Sequence, residues 1–195
     1  VILEGIVTTT NEDGSTNISP MGPDIEDPVH TFQLRPFTSS TTYRNLLRDR
    51  EGVLHVIDDV LLLAQAAIGQ LDPRPELVAT TAVRGHILKN CCRWYAFRVV
   101  EIEDHEPRAS MRCQVVDTGN RRNFFGFNRA KHAIVELAIL ATRVHLLPRA
   151  EIVHEFDRWE PVVLKTGGPR EQEAFVLLRR YVSDGPANGV TWHSV

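Results

Sequence analysis

A chain of 195 residues with 43% hydrophobic and 24% charged side chains is long enough to bury a real core, as one domain or one domain with an appendage. Its net charge of -3, with basic residues scattered among acids, gives no support for a general nucleic-acid binder. Three cysteines, two of them adjacent, make no disulfide framework and read as reduced thiols. The opening run Val1-Ile2-Leu3 is too short for a signal peptide or a membrane span, so a cytoplasmic location is expected.

In chain order, the first third reads as β-structure. Ile2–Thr10 is rich in β-branched residues, and Asn11-Glu12-Asp13-Gly14 is a turn signal. Thr16–Met21 returns as the second strand of a hairpin, with Pro20 restricting it to an edge or a strand end. Pro23 and Pro28 bracket an acidic loop, and His30–Phe37 alternates like a half-buried strand. A short helix over Thr42–Arg50 comes next, stopped by Gly52, then a strand over Val53–Ile57. Asp58 or Asp59 caps a second helix through Ala67, with Gly69 just past its end. Arg93–Glu103 and Ala109–Val116 form a long hairpin about Asp104-His105-Glu106-Pro107. Trp94, Tyr95 and Phe97 lie on its first strand, two of them on one face as core.

Composition changes after Gly119. Ala130, Ala133, Ile134, Leu137, Ala141 and Val144 recur at helical spacing, with Asn128 as cap and Pro148 past the end. Further helices are expected over Ala150–Trp159 and from Pro169 to about Val182, followed by a loose tail after Pro186. The outline is α+β: an antiparallel β-domain over residues 1–119, then a helical subdomain over 120–195.

Two segments carry candidate chemistry. Between Arg35 and Arg44, where a strand gives way to a helix, Thr38-Ser39-Ser40-Thr41-Thr42 presents consecutive hydroxyls. Hydroxyls, helix-terminal N–H groups and nearby guanidinium groups suit a phosphate dianion; the bland alternative is that Ser40 or Thr41 simply caps the helix. Asn17-Ile18-Ser19-Pro20-Met21-Gly22 could hydrogen-bond the rim of a flat heterocycle while its side chains cover the ring. Taken alone, an irregular strand end is the simpler reading of that stretch.

Other motifs are weaker. Phe124-Phe125-Gly126-Phe127-Asn128-Arg129 could close over a ring or a second anion, but is read first as a hydrophobic plug joining barrel to appendage. Lys165-Thr166-Gly167-Gly168 lacks the spacing of a phosphate loop and reads as a turn between helices. His132 and Glu136 make no H-E-x-x-H pattern, and His86, His105, His145 and His154 form no ligand cluster, so no metal site is assigned. No nucleophile setting is visible.

Together, Ile2–Thr9, Asn17–Pro23, Arg35–Phe37 with Thr41–Leu46, Asp58-Asp59 with Ala66–Gly69, Phe125–Ala133 and Lys165–Arg170 resemble the DUF447 family. Ser19 stands where that pattern carries Ala. The resemblance implies an FMN-binding split barrel of the flavin-reductase type, a homodimer, and FMN near the subunit interface. It implies that Arg35, Ser39, Ser40, Thr41 and Thr42 bind the FMN phosphate, that Asn45 supports their turn, and that Asn17, Ile18, Ser19, Pro20 and Met21 line the isoalloxazine ring. The expectation is a flavin-dependent oxidoreductase of unknown substrate, with a nicotinamide or small organic molecule as reaction partner and no catalytic side chain assigned. The alternative is a non-catalytic flavin carrier, sensor or assembly module.

Overall fold

The computed structural model describes residues 1–185, and the tail expected after Pro186 lies outside them. These residues form two compact units, one of Val1–Ile57 with Pro75–Phe124, the other of Asp58–Arg74 with residues 125–185.

The first unit is built on antiparallel strands β1 (Gly5–Thr10), β2 (Thr16–Met21), β3 (Asp24–Ile25), β4 (Thr31–Leu34), β5 (Glu51–Val56), β8 (Arg93–Glu103) and β9 (Ser110–Asn120). They lie in the order β2-β1-β5-β8-β9-β4-β3, with helix α1 (Thr41–Asp49) between β4 and β5 in sequence. Helix α2 (Val60–Ala67), in the second unit, comes after β5 along the chain. A separate pair, β6 (Leu77–Ala79) and β7 (His86–Leu88), has strands of only 3 residues each, too short to show an alternation. Alternation along the strands sends Val7, Phe32, Leu34, Leu54, Tyr95, Phe97, Val99 and Met111 into one core, which Tyr43 and Leu46 of α1 complete. Phe32 and Phe97 meet edge-on with centroids 5.1 Å apart.

Gly52 has a role other than the expected helix stop. Helix α1 has already ended at Asp49, with Arg50 in the left-handed region (φ 58). Gly52 lies within β5, where an added Cβ would sit 2.7 Å from Phe97 Cζ. Its missing side chain makes room for the core's ring.

The second unit contains α2, α3 (Arg129–Ala141), α4 (Arg149–Thr166) and α5 (Pro169–Asp184). Helix α2 packs on α3 and α5, so the helical unit recruits a segment from well before the compositional change at Gly119. Small residues of α3 (Ala130, Ala133, Ala138, Ala141) are buried, which lets its neighbours approach closely. Phe156 and Phe175 meet at a tilt between α4 and α5, with ring centroids 5.5 Å apart. Helix α4 runs past its expected end at Trp159 and through Pro161. Its apolar stripe of Ile152, Phe156 and Val163 continues beyond the proline, and burying that stripe outweighs one lost backbone bond. Among the described residues, no helix is long and apolar enough to cross a membrane.

Candidate functional site

The hydroxyl-rich turn is built by the residues just after β4. Pro36 is buried, and the ring of Phe37 carries the Arg108 guanidinium 3.7 Å from its centroid. Ser40 N–H then donates to Phe37 O at 2.9 Å, closing the turn. Ser40 is the N-cap of α1, its Oγ accepting from Tyr43 N–H at 3.1 Å. Thr41 and Thr42 occupy the first two helical positions, where the backbone N–H groups have no preceding carbonyl to meet. Ser39 is exposed, Thr41 half-buried, and Ser40, Thr42 and Asn45 are buried.

The guanidinium that lies on this turn belongs to Arg44. It donates to Ser39 O at 2.6 Å and to Thr41 Oγ1 at 2.9 Å. Arg35 is exposed, and its backbone carbonyl accepts from Arg108 Nη1 at 3.0 Å. The two arginines that flank the motif in sequence therefore stand differently toward it.

Asn17, Ile18, Ser19, Pro20 and Met21 all lie in β2, a strand at the sheet edge beside β1. Asn11 N–H donates to Ser15 O at 2.8 Å in the hairpin turn, which fixes the register that pairs Thr9 with Asn17 and Val7 with Ser19. Those are the hydrogen-bonded pairs, so Ile6–Pro20 and Thr8–Ile18 are not, and Pro20's missing N–H costs the ladder nothing. The N–H and C=O of Ile18 and the C=O of Pro20 then point out of the sheet edge.

The structure brings these two segments together. Asn17 Nδ2 donates to Thr42 Oγ1 at 3.0 Å and to Thr9 Oγ1 at 3.2 Å. Asn45 Nδ2 donates to the same Thr9 hydroxyl at 3.0 Å and to Asn11 Oδ1 at 2.8 Å. Thr9 is the shared acceptor, a residue inside the Ile2–Thr9 stretch of the family pattern to which the sequence assigns no role in the site. A second support comes from the β8–β9 hairpin tip. Tyr43 Oη donates to both carboxylate oxygens of Asp104 at 2.9 and 3.0 Å, and this bond pushes the phenol pKa up. Thr38 Oγ1 donates to Glu106 Oε2 at 2.7 Å and its N–H to Pro107 O at 3.1 Å. Residues 37–45 are thus held from both sides, with the N–H groups of Thr41 and Thr42 left at the front.

Elsewhere in this unit, His55 is wholly buried. Its Nδ1 lies 3.1 Å from Ile6 O, and its Nε2 accepts from Leu88 N–H at 3.1 Å, which assigns the neutral tautomer with the proton on Nδ1. Burial lowers its pKa to about 4. Cys91, Cys92 and Cys113 are buried and form no disulfide; burial pushes the Cys91 thiol up to about 11 and raises that of Cys113 too, so neither of these two is poised as a nucleophile.

In the helical unit the remaining motifs converge. Lys131 Nζ pairs with Glu171 Oε1 at 2.8 Å and donates to Asp58 O at 2.5 Å. Glu171 Oε2 accepts from Gly168 N–H at 2.8 Å. Burial works to raise the Glu171 pKa, but the Lys131 and Gly168 hydrogen bonds hold it below the usual range. Asp58 Oδ2 accepts from Phe125 N–H at 2.7 Å, and Asn128 caps α3 while donating to Thr166 O at 2.9 Å. Of the expected turn Lys165–Gly168, only Gly167-Gly168 connects α4 to α5; Lys165 and Thr166 close the last turn of α4. The Phe124–Arg129 stretch is not a plug: Phe124 is 49%, Phe125 71% and Phe127 93% exposed. A plug would bury its rings. Here the backbone is anchored while the rings stay largely exposed.

The family model for the N-terminal domain of DUF447, a protein of unknown function, matches residues 3–122, and a second DUF447 model matches residues 128–180. No curated protein matches the chain. Among solved structures it is similar to an FMN-bound DUF447 protein from Methanosarcina mazei (22% identity, 91% of this chain and 93% of that one, TM-score 0.78). It is similar over a smaller part to the styrene monooxygenase flavin reductase of Pseudomonas putida (12% identity, 62% of this chain and 82% of that one, TM-score 0.54). The 2-nitrobenzoate 2-nitroreductase of Pseudomonas fluorescens is a third (17% identity, 60% of this chain and 64% of that one, TM-score 0.51). At these identities the likeness concerns the fold, which is the flavin-reductase-like split barrel with C-terminal helices.

Proposed function

The chain belongs to the DUF447 family, and from that premise we propose that it binds FMN and serves as a flavin-dependent oxidoreductase. The observation that carries this reading is the 3.0 Å hydrogen bond from Asn17 to Thr42. It joins a turn suited to a phosphate dianion to a strand edge suited to a polar ring rim, and FMN has both parts. The residues present fit that ligand. Thr41 and Thr42 offer backbone donors at a helix N-terminus, and Ser39–Thr42 add hydroxyl groups. Arg44 is already at the turn, and Arg35 is exposed and available to a ligand. The outward N–H and C=O of Ile18 match the alternating donors and acceptors of the isoalloxazine rim.

When bound, the flavin supplies the redox chemistry, so the protein needs to bind, orient and shield it rather than provide a catalytic acid or base. Two FMN-binding copies joined as a homodimer, with FMN near the interface, are part of the same proposal. The test is a fluorescence titration of the purified protein with FMN and with riboflavin, repeated for Arg35→Ala and Arg44→Ala. FMN should bind at least tenfold more tightly than riboflavin, and each arginine variant should weaken FMN while sparing riboflavin. Equal binding of both flavins removes the phosphate from the turn, and binding of neither ends the proposal. Rapid mixing of the loaded protein with NADH or NADPH then separates enzyme from carrier: bleaching of the flavin absorbance marks turnover.

A further inference from the structure

The segment Phe125-Gly126-Phe127 is an aromatic knob held out in solvent. Its rings are 71% and 93% exposed, yet the chain beneath them is tied down on both sides. Phe125 N–H donates to Asp58 Oδ2 at 2.7 Å, and Asn128 both caps α3 and donates to Thr166 O at 2.9 Å. Lys131 lies 5.4 Å from the Phe125 ring centroid while bonded to Asp58 O and Glu171. Phe127 meets His132 edge-on, with centroids 5.9 Å apart. Gly126 takes φ +109, which L side chains rarely adopt, with open space where a Cβ would be. This backbone is shaped to display the rings.

Small ligands enter concave sites, whereas a projecting pair of preorganised aromatics is the form of an interface anchor. Its counterpart must be concave or flat, apolar and able to accept a ring. On the FMN reading the same chain would carry such a surface: an isoalloxazine held by its rim at the β2 edge, beside the half-buried Pro20 and Met21, would present a ring face for a partner to cover. Charge agrees: Arg121 and Arg129, both exposed, border the aromatic stretch, and FMN is an anion. Because one chain holds both knob and receiver, a two-fold pair makes the contact twice.

We propose that Phe125 and Phe127 of one copy of this chain dock on the flavin bound at the β2 edge of a second copy, closing its open ring face. This rests on the FMN reading, and the experiment separates the two. Phe125→Ala/Phe127→Ala removes only exposed rings and so leaves the cores intact. Sedimentation and FMN titration are run on the wild type and this variant. The expected result is a wild-type dimer, with the variant shifted to monomer and its FMN affinity reduced at least tenfold.

A mixed dimer gives the sharper test. One chain carries the double substitution and an intact turn; the other carries the intact knob and Thr42→Asp, whose charge repels phosphate. Docking between copies predicts one tight FMN site per mixed dimer. A weak site there overturns the proposal, since it places the cover on the chain that holds the flavin. An unchanged oligomeric state and affinity in the double variant overturns it as well. If the wild type binds no FMN, the flavin reading falls. In that case a monomeric double variant retains the docking between copies, and an unchanged dimer removes it.

Discussion

The Thr9 hydroxyl accepts hydrogen bonds from Asn17 and Asn45 at once, so one side chain ties the sheet edge to the helix that bears the hydroxyl turn. Thr42 is the other link between them, and it is buried. Thr42→Val keeps the shape but leaves the Asn17 amide short of an acceptor, at a cost of about 1–3 kcal/mol in stability. If the linkage orders the ligand site, FMN affinity drops by roughly tenfold, equivalent to about 1.4 kcal/mol, in fluorescence titrations. His55 acts differently, through protonation. Its folded pKa of about 4 lies below the ordinary 6.5, because burial opposes the charge. Between these values the unfolded chain binds the proton and the folded chain does not, so stability falls as pH falls. The contribution is complete above pH 6.5 and is lost on the way down to about 4. It amounts to about 3 kcal/mol at most. Urea unfolding at pH 7.5 and 4.5, in wild type and His55→Gln, isolates this term as the difference in slope with pH between the two proteins. Equal slopes would remove His55 as the source.

At the scale of elements, glycine and proline are the most misleading residues. Gly52 comes after a helix and reads as its stop, yet the helix is ended by Arg50 in the left-handed region, and Gly52 instead faces the Phe97 ring across β5 and β8. That contact belongs to strand pairing, which no local pattern reveals. Gly52→Ala forces a Cβ to 2.7 Å from Phe97 Cζ and should destabilise by about 1–3 kcal/mol. Adding Phe97→Leu should return part of that loss in a double-mutant cycle of denaturant midpoints; strict additivity would show that the ring is not the cause. Caps are more legible, because Asp59 and Asn128 act through residues close by in sequence and both cap as expected. So is the long β8–β9 hairpin, although β9 runs on to Asn120, past its expected end at Val116, and irregularities at Ala96/Phe97 and Val99/Glu101 interrupt the pairing. Long-range links such as Tyr43 with Asp104, or Lys131 with Glu171, have no local signature. The Phe124–Arg129 stretch misleads for the opposite reason: apolar residues predict burial, and only the folded chain shows that these are displayed.

At the scale of the whole molecule, each compact unit has its own core, so a ligand held by β2 and α1 should report first on the unit that contains them. FMN divides into a ring and a phosphate, and riboflavin supplies the ring alone. Hydrogen exchange followed by mass spectrometry can therefore test the two halves of the site separately. With FMN in hundredfold excess over its dissociation constant, binding stabilises by about 2.7 kcal/mol, enough to slow exchange throughout the ligand-bearing elements. Protection should rise at Thr16–Met21, where the outward Ile18 amide gains an acceptor, and at Thr41 and Thr42, whose amides gain the phosphate. Riboflavin should protect β2 while leaving the Thr41 and Thr42 amides as they were. If the aromatic knob covers the ring of a second copy, residues 124–128 gain protection with either flavin, and the Phe125→Ala/Phe127→Ala variant loses that protection while keeping the phosphate's. Protection by FMN confined to α3, α4 and α5 would contradict the whole arrangement, since none of the proposed ligand contacts to β2 or α1 would then exist.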